Sequence, residues 1–266
     1  MLKKRLAFAL LWDGGHFSLS RNFRLQRVGD YAWLTKQYRF EDVAQAIDEL
    51  FILDVTRGPR QSEAFLQVVS SLAESLQIPV AVGGGLRTLR DARGALKAGA
   101  DKLVFNSGAF TSLELLMDVG CAFGRQCIVV SLDLRRCIDG YDIYVNDGKT
   151  RGASLLESLE SPVVDHAGEL LVNSIDLDGT GNGLDLGIPD LISSASDLPL
   201  VLMGGTGQPS HVISGLLHSR VDAVCTSNLL NFIGDGLSEA RAACIAAGIS
   251  IPNRLSAQES RDVGLV

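Results

Sequence analysis

The chain has 266 residues and a formal net charge of −7, from 24 Lys and Arg against 31 Asp and Glu. Hydrophobic residues make up 46% and charged residues 21%, which excludes wholesale disorder. The acidic balance argues against nucleic acid or an anionic membrane as main partner, but it allows a small phosphorylated ligand held by backbone amides.

The first segment, Leu6 to Trp12, follows the basic start Met1-Leu2-Lys3-Lys4-Arg5 and ends at Asp13-Gly14-Gly15. No small-residue cleavage site follows, so it reads as a strand rather than a signal peptide. Further strand-like segments begin near Glu49, Pro79, Lys102, Gln126, Gly168, Pro199 and Asp222. With the first, near Arg5, they are spaced about one βα unit of roughly 31 residues apart. Between them lie helical periodicities such as Leu66, Val69, Leu72, Leu76 and Val212, Leu216, Leu217. The strand cores are continuous apolar runs, such as Leu50-Phe51-Ile52-Leu53 and Cys127-Ile128-Val129-Val130. Such runs are buried on both faces, which predicts a parallel sheet covered by helices. No apolar run approaches membrane-helix length. The cysteines (Cys121, Cys127, Cys137, Cys225, Cys244) are odd in number and scattered, as in a reduced, cytoplasmic protein.

The chain repeats itself. Pro79-Val80-Ala81-Val82-Gly83-Gly84-Gly85 resembles Pro199-Leu200-Val201-Leu202-Met203-Gly204-Gly205, and Glu49-Leu50 resembles Glu169-Leu170. The pattern predicts an α/β fold: a single-domain (β/α)8 TIM barrel of two similar half-barrels over residues 1–250, with a polar tail over 251–266.

In such a barrel the loops after the strands form the active face. Gly84, Gly85, Asn106 and Ser107 in one half, and Gly204, Gly205, Ser227 and Asn228 in the other, form two candidate phosphate sites. The alternative is that the glycines only turn the chain. A pair of sites implies a ligand with a phosphate at each end. Asp133 and Asp176, at strand ends, are the catalytic candidates; Asp54 and Asp178 are equally well read as turn or helix caps. Position 11, where the first half-barrel would offset Asp133, is Leu11. Lys149 and Arg151 sit in a loop as phosphate contacts or solvated charges. The four His are isolated, so no metal site and no cofactor are expected. At the opposite end, Arg5, Glu49, Lys102 and Glu169 each start a strand. They form either a ring of ion pairs closing the barrel floor or exposed charges of little worth.

The stretches Asp48-Glu49-Leu50-Phe51-Ile52-Leu53-Asp54, Val82-Gly83-Gly84-Gly85, Gly99-Ala100-Asp101-Lys102 and Ser174-Ile175-Asp176-Leu177-Asp178-Gly179-Thr180 resemble the cyclase subunit of imidazole glycerol phosphate synthase, the HisF family. The resemblance runs from Met1 to about Gly248. It implies a lyase subunit that takes ammonia from a HisH-like glutaminase in a heterodimer, passes it through the barrel, and turns a formimino ribonucleotide into imidazole glycerol phosphate and an aminoimidazole carboxamide ribonucleotide, as in histidine biosynthesis. It also implies that Arg5, Glu49, Lys102 and Glu169 gate the ammonia, that Asp101 contacts the glutaminase, and that Asp133 is one of two catalytic aspartates. Leu11 stands where the other is expected, Leu19 where a loop lysine is expected, and Met203 where a smaller residue is expected. These departures are similar to a HisF-like subgroup of surface-polysaccharide gene clusters. That subgroup implies ammonia delivery to a separate sugar amidotransferase acting on a nucleotide sugar, with impaired ring closure. A phosphosugar isomerase on the same half-barrel fold fits the charge ring and the Asp-x-Asp-Gly-Thr loop less well.

Overall fold

Eight parallel strands run in chain order around a closed barrel: β1 Arg5–Asp13, β2 Glu49–Asp54, β3 Val80–Gly83, β4 Lys102–Phe105, β5 Ile128–Cys137, β6 Glu169–Ser174, β7 Leu200–Met203 and β8 Ala223–Thr226. β8 pairs with β1, and β5 with β6, so no edge is left open. The structure, a computed structural model, describes residues 3–37, 40–227 and 235–252.

The apolar runs are continuous because both faces of each strand are buried. Alternate residues point inward, among them Ala7, Phe51, Val104, Leu171 and Cys225, which pack in the barrel interior. Their neighbours, such as Leu6, Leu50, Leu103 and Leu170, face the helices in a second, larger core. Helix Ser62–Leu76 buries Phe65, Val68, Val69, Leu72 and Leu76 on one face. Helix Leu89–Lys97 opens on a capping box of Thr88 and Asp91. One helical expectation is corrected: helix Pro209–Leu217 buries Val212 and Leu216, but Leu217 is 62% exposed. Residue 216 lies four positions from 212 on the core face, and 217 is turned away from it.

Two hairpins were not expected. β1 continues into His16–Arg21, which folds back on it with Leu11 opposite Ser18, and then into Arg24–Gly29. β5 likewise continues into Gly140–Val145 and Thr150–Ser154. The first strand of each half-barrel therefore carries a hairpin, which extends the internal duplication beyond the repeated sequence. Of the tail expected over 251–266, Ile251 is buried and the Pro252 carbonyl accepts from Arg241; residues 253–266 lie outside the described residues. No helix among the described residues is long and apolar enough to cross a membrane.

Candidate active site and barrel floor

At the strand starts, Arg5, Glu49, Lys102 and Glu169 converge into one ring. Lys102 Nζ stands 2.7 Å from Glu49 Oε1 and 2.7 Å from Glu169 Oε2. Arg5 bridges the same two carboxylates from the other side. The Glu side chains are 1% and 5% exposed, so these are interior ion pairs rather than solvated strand-start charges. Burial pushes the Glu49 carboxyl above its ordinary range, Arg5 and Lys102 pull it back, and Glu169 adds to the rise. Removing one cation leaves two buried carboxylates sharing the other. Lys102→Met is expected to cost about 3 kcal/mol or more at pH 7. The loss should shrink towards pH 4, as protonation of Glu49, whose carboxyl burial already pushes up, relieves the repulsion. Urea unfolding at the two pH values measures it, and a loss that does not change with pH would contradict a paired floor.

Asp101, beside Lys102, is exposed and accepts from the Val80 amide at 2.9 Å, tying β4 to β3. Asp222 does the same for Leu200 at 2.9 Å in the second half-barrel.

The strand ends open on a cavity of about 770 Å³. Asp133 lies within it and is held by its neighbours. Asn106 Nδ2 donates to its carboxylate at 3.1 Å and to the Ser131 carbonyl at 3.0 Å. Asn173, its register partner on β6, also hydrogen-bonds to it. Burial, with Asp178 and Asp147 adding negative charge, outweighs these bonds and pushes the Asp133 carboxyl up to about 7. A carboxyl that gains and loses its proton near neutrality suits general acid–base work. Leu11 lines the same cavity from β1, only 6% exposed, beside Leu53, its register partner on β2. Ser18, opposite Leu11 in the hairpin, has a buried hydroxyl with no hydrogen-bond partner.

The loop after β6 holds two aspartates, of which the sequence points to Asp176 as a catalytic candidate. Asp176 is exposed and does not line the cavity; it accepts from the Arg136 amide at 2.9 Å and lies 3.5 Å from Arg135. Asp178 lines the cavity instead. It accepts from the Ser20 hydroxyl and, at 3.0 Å, from the Phe23 amide, clasping the first hairpin over the mouth. Asn22 adds bonds to the Ile175 and Asp176 carbonyls at 3.1 and 2.8 Å. The Phe23 ring meets the turn at Gly148 of the second hairpin, where a Cβ would stand 2.7 Å from it.

The two candidate phosphate sites fare differently. Gly84, Gly85, Asn106 and Ser107 all line the cavity. Gly84, at φ 94°, passes so close to β2 that a Cβ would sit 2.1 Å from the Asp54 carbonyl oxygen, so only glycine fits. The Asn106 amide is committed to Asp133, so at this site it positions that carboxylate. In the other half, Gly204, Gly205 and Ser227 do not line the cavity. Gly205 is covered by the chain at Gly183, whose amide donates to its carbonyl at 2.8 Å. Met203 stands in the cavity wall ahead of them. Asn228 lies outside the described residues. Sequence reasoning missed Asn173 and Arg60. Lys149 lines the cavity, whereas Arg151 pairs with Asp142 at 2.7 Å.

A closed barrel with its cavity at the C-terminal strand ends and a duplicated half-barrel plan defines a (β/α)8 enzyme scaffold. Comparison with known proteins narrows this. A family model described as "Histidine biosynthesis protein" matches residues 22–232. A provisionally named imidazole glycerol phosphate synthase subunit hisF2 of Parasynechococcus marenigrum (strain WH8102) is 37% identical over 246 residues, 91% of this chain and 90% of that protein. Imidazole glycerol phosphate synthase subunit HisF of Streptococcus gordonii (strain Challis) is 33% identical over 254 residues, 94% of this chain and 99% of that protein. The chain belongs to the histidine biosynthesis protein family, as a synthase subunit of the HisF type.

Proposed function

We propose that this chain conducts ammonia from a HisH-like glutaminase, bound as a heterodimer at the floor end with Asp101 among its contacts, through the ring of Arg5, Glu49, Lys102 and Glu169 to the mouth. There it closes an imidazole ring poorly or not at all. The ammonia serves a separate sugar amidotransferase that acts on a nucleotide sugar for surface polysaccharide. One observation carries the reading: Leu11 faces the cavity that holds Asp133, where a proton-transfer pair needs a second titratable group. The other carboxylates of the lining already have partners, Asp54 in Arg60 and the Thr56 amide, Asp147 in Lys149, and Asp178 in Ser20 and Phe23.

The test is ammonia-dependent turnover of the formimino ribonucleotide by the purified chain. A kcat/KM in the ordinary enzyme range, about 10⁴ M⁻¹s⁻¹ or more, would instead establish a ring-closing subunit of histidine biosynthesis.

A further inference from the structure

The floor ring and the cavity do not meet. On β2 the inward residues are Glu49 in the ring, then Phe51, then Leu53 in the cavity wall. Glu49 and Leu53 stand about 13 Å apart along the strand, or about 10 Å along the barrel axis at the usual tilt. Phe51 fills that interval. It is fully buried, it is the one aromatic residue of the described barrel interior, and it does not line the cavity. Its register partners are Ala9 on β1 and Ala81 on β3. Small residues on both neighbouring strands leave the space that the ring takes, so its side chain closes the interior on this side of the axis.

The second observation is which side chains there can move. Alanine has no rotamer to change and valine is stiff at χ1, so Ala7, Ala9, Ala81, Val129 and Val201 form a fixed wall. Between ring and cavity, Phe51 and Leu171 are the large side chains with other staggered positions to adopt. Leu171 has the stiff Val201 beside it on β7. Phe51 has an alanine on each side, and neither reaches past its own Cβ.

We propose that Phe51 is the valve of the barrel interior: its side chain shuts the interval between the floor ring and the cavity, and ammonia passes when it turns. The inference deepens the proposed function by naming the residue that controls the same route, and it rests on that reading for what travels there. Its test reads access to the interior and not turnover, so the two fail separately.

Cys225 is a reporter already in place. It points inward from β8, is fully buried, and burial holds its thiol well above the ordinary range, protonated and slow to react. Its register partner on β1 is Ala7, so β1 sets only alanines between Cys225 and Phe51. On its other side, Val201 and Met203 of β7 stand between it and Leu171. The full chain is treated with methyl methanethiolsulfonate, a small neutral thiol reagent, and peptide mass spectrometry follows Cys225 against the exposed Cys121. Phe51→Val is expected to speed labelling of Cys225 relative to Cys121 at least about tenfold, because the closed state no longer excludes the reagent. Leu171→Ala, a comparable truncation across the barrel, should change it less than about threefold. Phe51→Ala should exceed Phe51→Val; thermal melting shows whether it folds, and Phe51→Val carries the test if it does not. No gain in Phe51→Val, or an equal gain in Leu171→Ala, would overturn the proposal.

Discussion

Leu11→Asp is expected to raise ammonia-dependent ring closure by about 10²- to 10⁴-fold over the wild-type chain, the usual worth of a positioned acid or base. The two positions lie in one cavity, on the first strand of each half-barrel, so an acid at 11 would face the substrate from the side opposite Asp133. The local chemistry favours the exchange. Ser18 lies opposite residue 11 in the hairpin, where side chains of a pair share a face, and its buried hydroxyl lacks an acceptor that the new carboxylate would supply. Burial beside Leu53 would raise the pKa of the new group, as burial does for Asp133. Steady-state kinetics with the formimino ribonucleotide and an ammonium salt measures the gain without any glutaminase. The gain should vanish in Leu11→Asp combined with Asp133→Asn. An unchanged rate in Leu11→Asp would show that something other than the missing acid limits the chemistry.

Asp133→Asn is expected to stabilise the fold above neutrality while abolishing whatever proton transfer the wild type retains. The Asp133 carboxyl titrates at about 7 in the native chain, against an ordinary value of 3.8. Between these values the native state holds a proton that the unfolded state has released. Stability therefore falls as pH rises, by about 1.4 kcal/mol per unit, and the loss is complete above pH 7. The sum is at most about 4 kcal/mol, and less to the extent that water reaches the group. Asn keeps an acceptor for Asn106 and has no charge to bury. The variant should match wild type near pH 4 and melt several degrees higher at pH 8, at about 2–4 °C per kcal/mol for a chain of this size. A melting difference independent of pH would mean that Asp133 does not carry the proton assigned to it.

Much of this architecture was legible in the sequence because it rests on simple patterns. Strand runs buried on two faces read as continuous apolar stretches, and their starts were placed within about two residues. The duplicated Gly-Gly loops and the charged strand starts stood out against them. The hairpins were not legible. Arg24–Gly29 has no buried residue and no apolar alternation, and it follows a turn at Asn22 and Phe23 with φ of 49° and 62°, an uncommon conformation for a phenylalanine. The second turn does carry a signal, Asn146-Asp147-Gly148, and Asn and Gly favour such positive φ. That Asp176 stands outside the cavity was not legible, because β6 ends at Ser174 and the chain has already begun to turn, so Asp178 is the residue that lines it. The role of Arg60 depends on where the loop after β2 folds, which no local pattern records.

The meeting of Phe23 with the Gly148 turn has a consequence for traffic. Where Phe23 packs on Gly148 the tips of the two hairpins touch, and no molecule passes between them at that contact. The exposed rim residues of the cavity, Arg57, Arg87, Thr111, Asn146 and Lys149, lie to one side, by the loops after β2, β3, β4 and β5. Among the described residues the cavity thus has a side door. On the proposed route, ammonia that entered at the floor would leave past these exposed residues, and a ligand held among them would stand in its way.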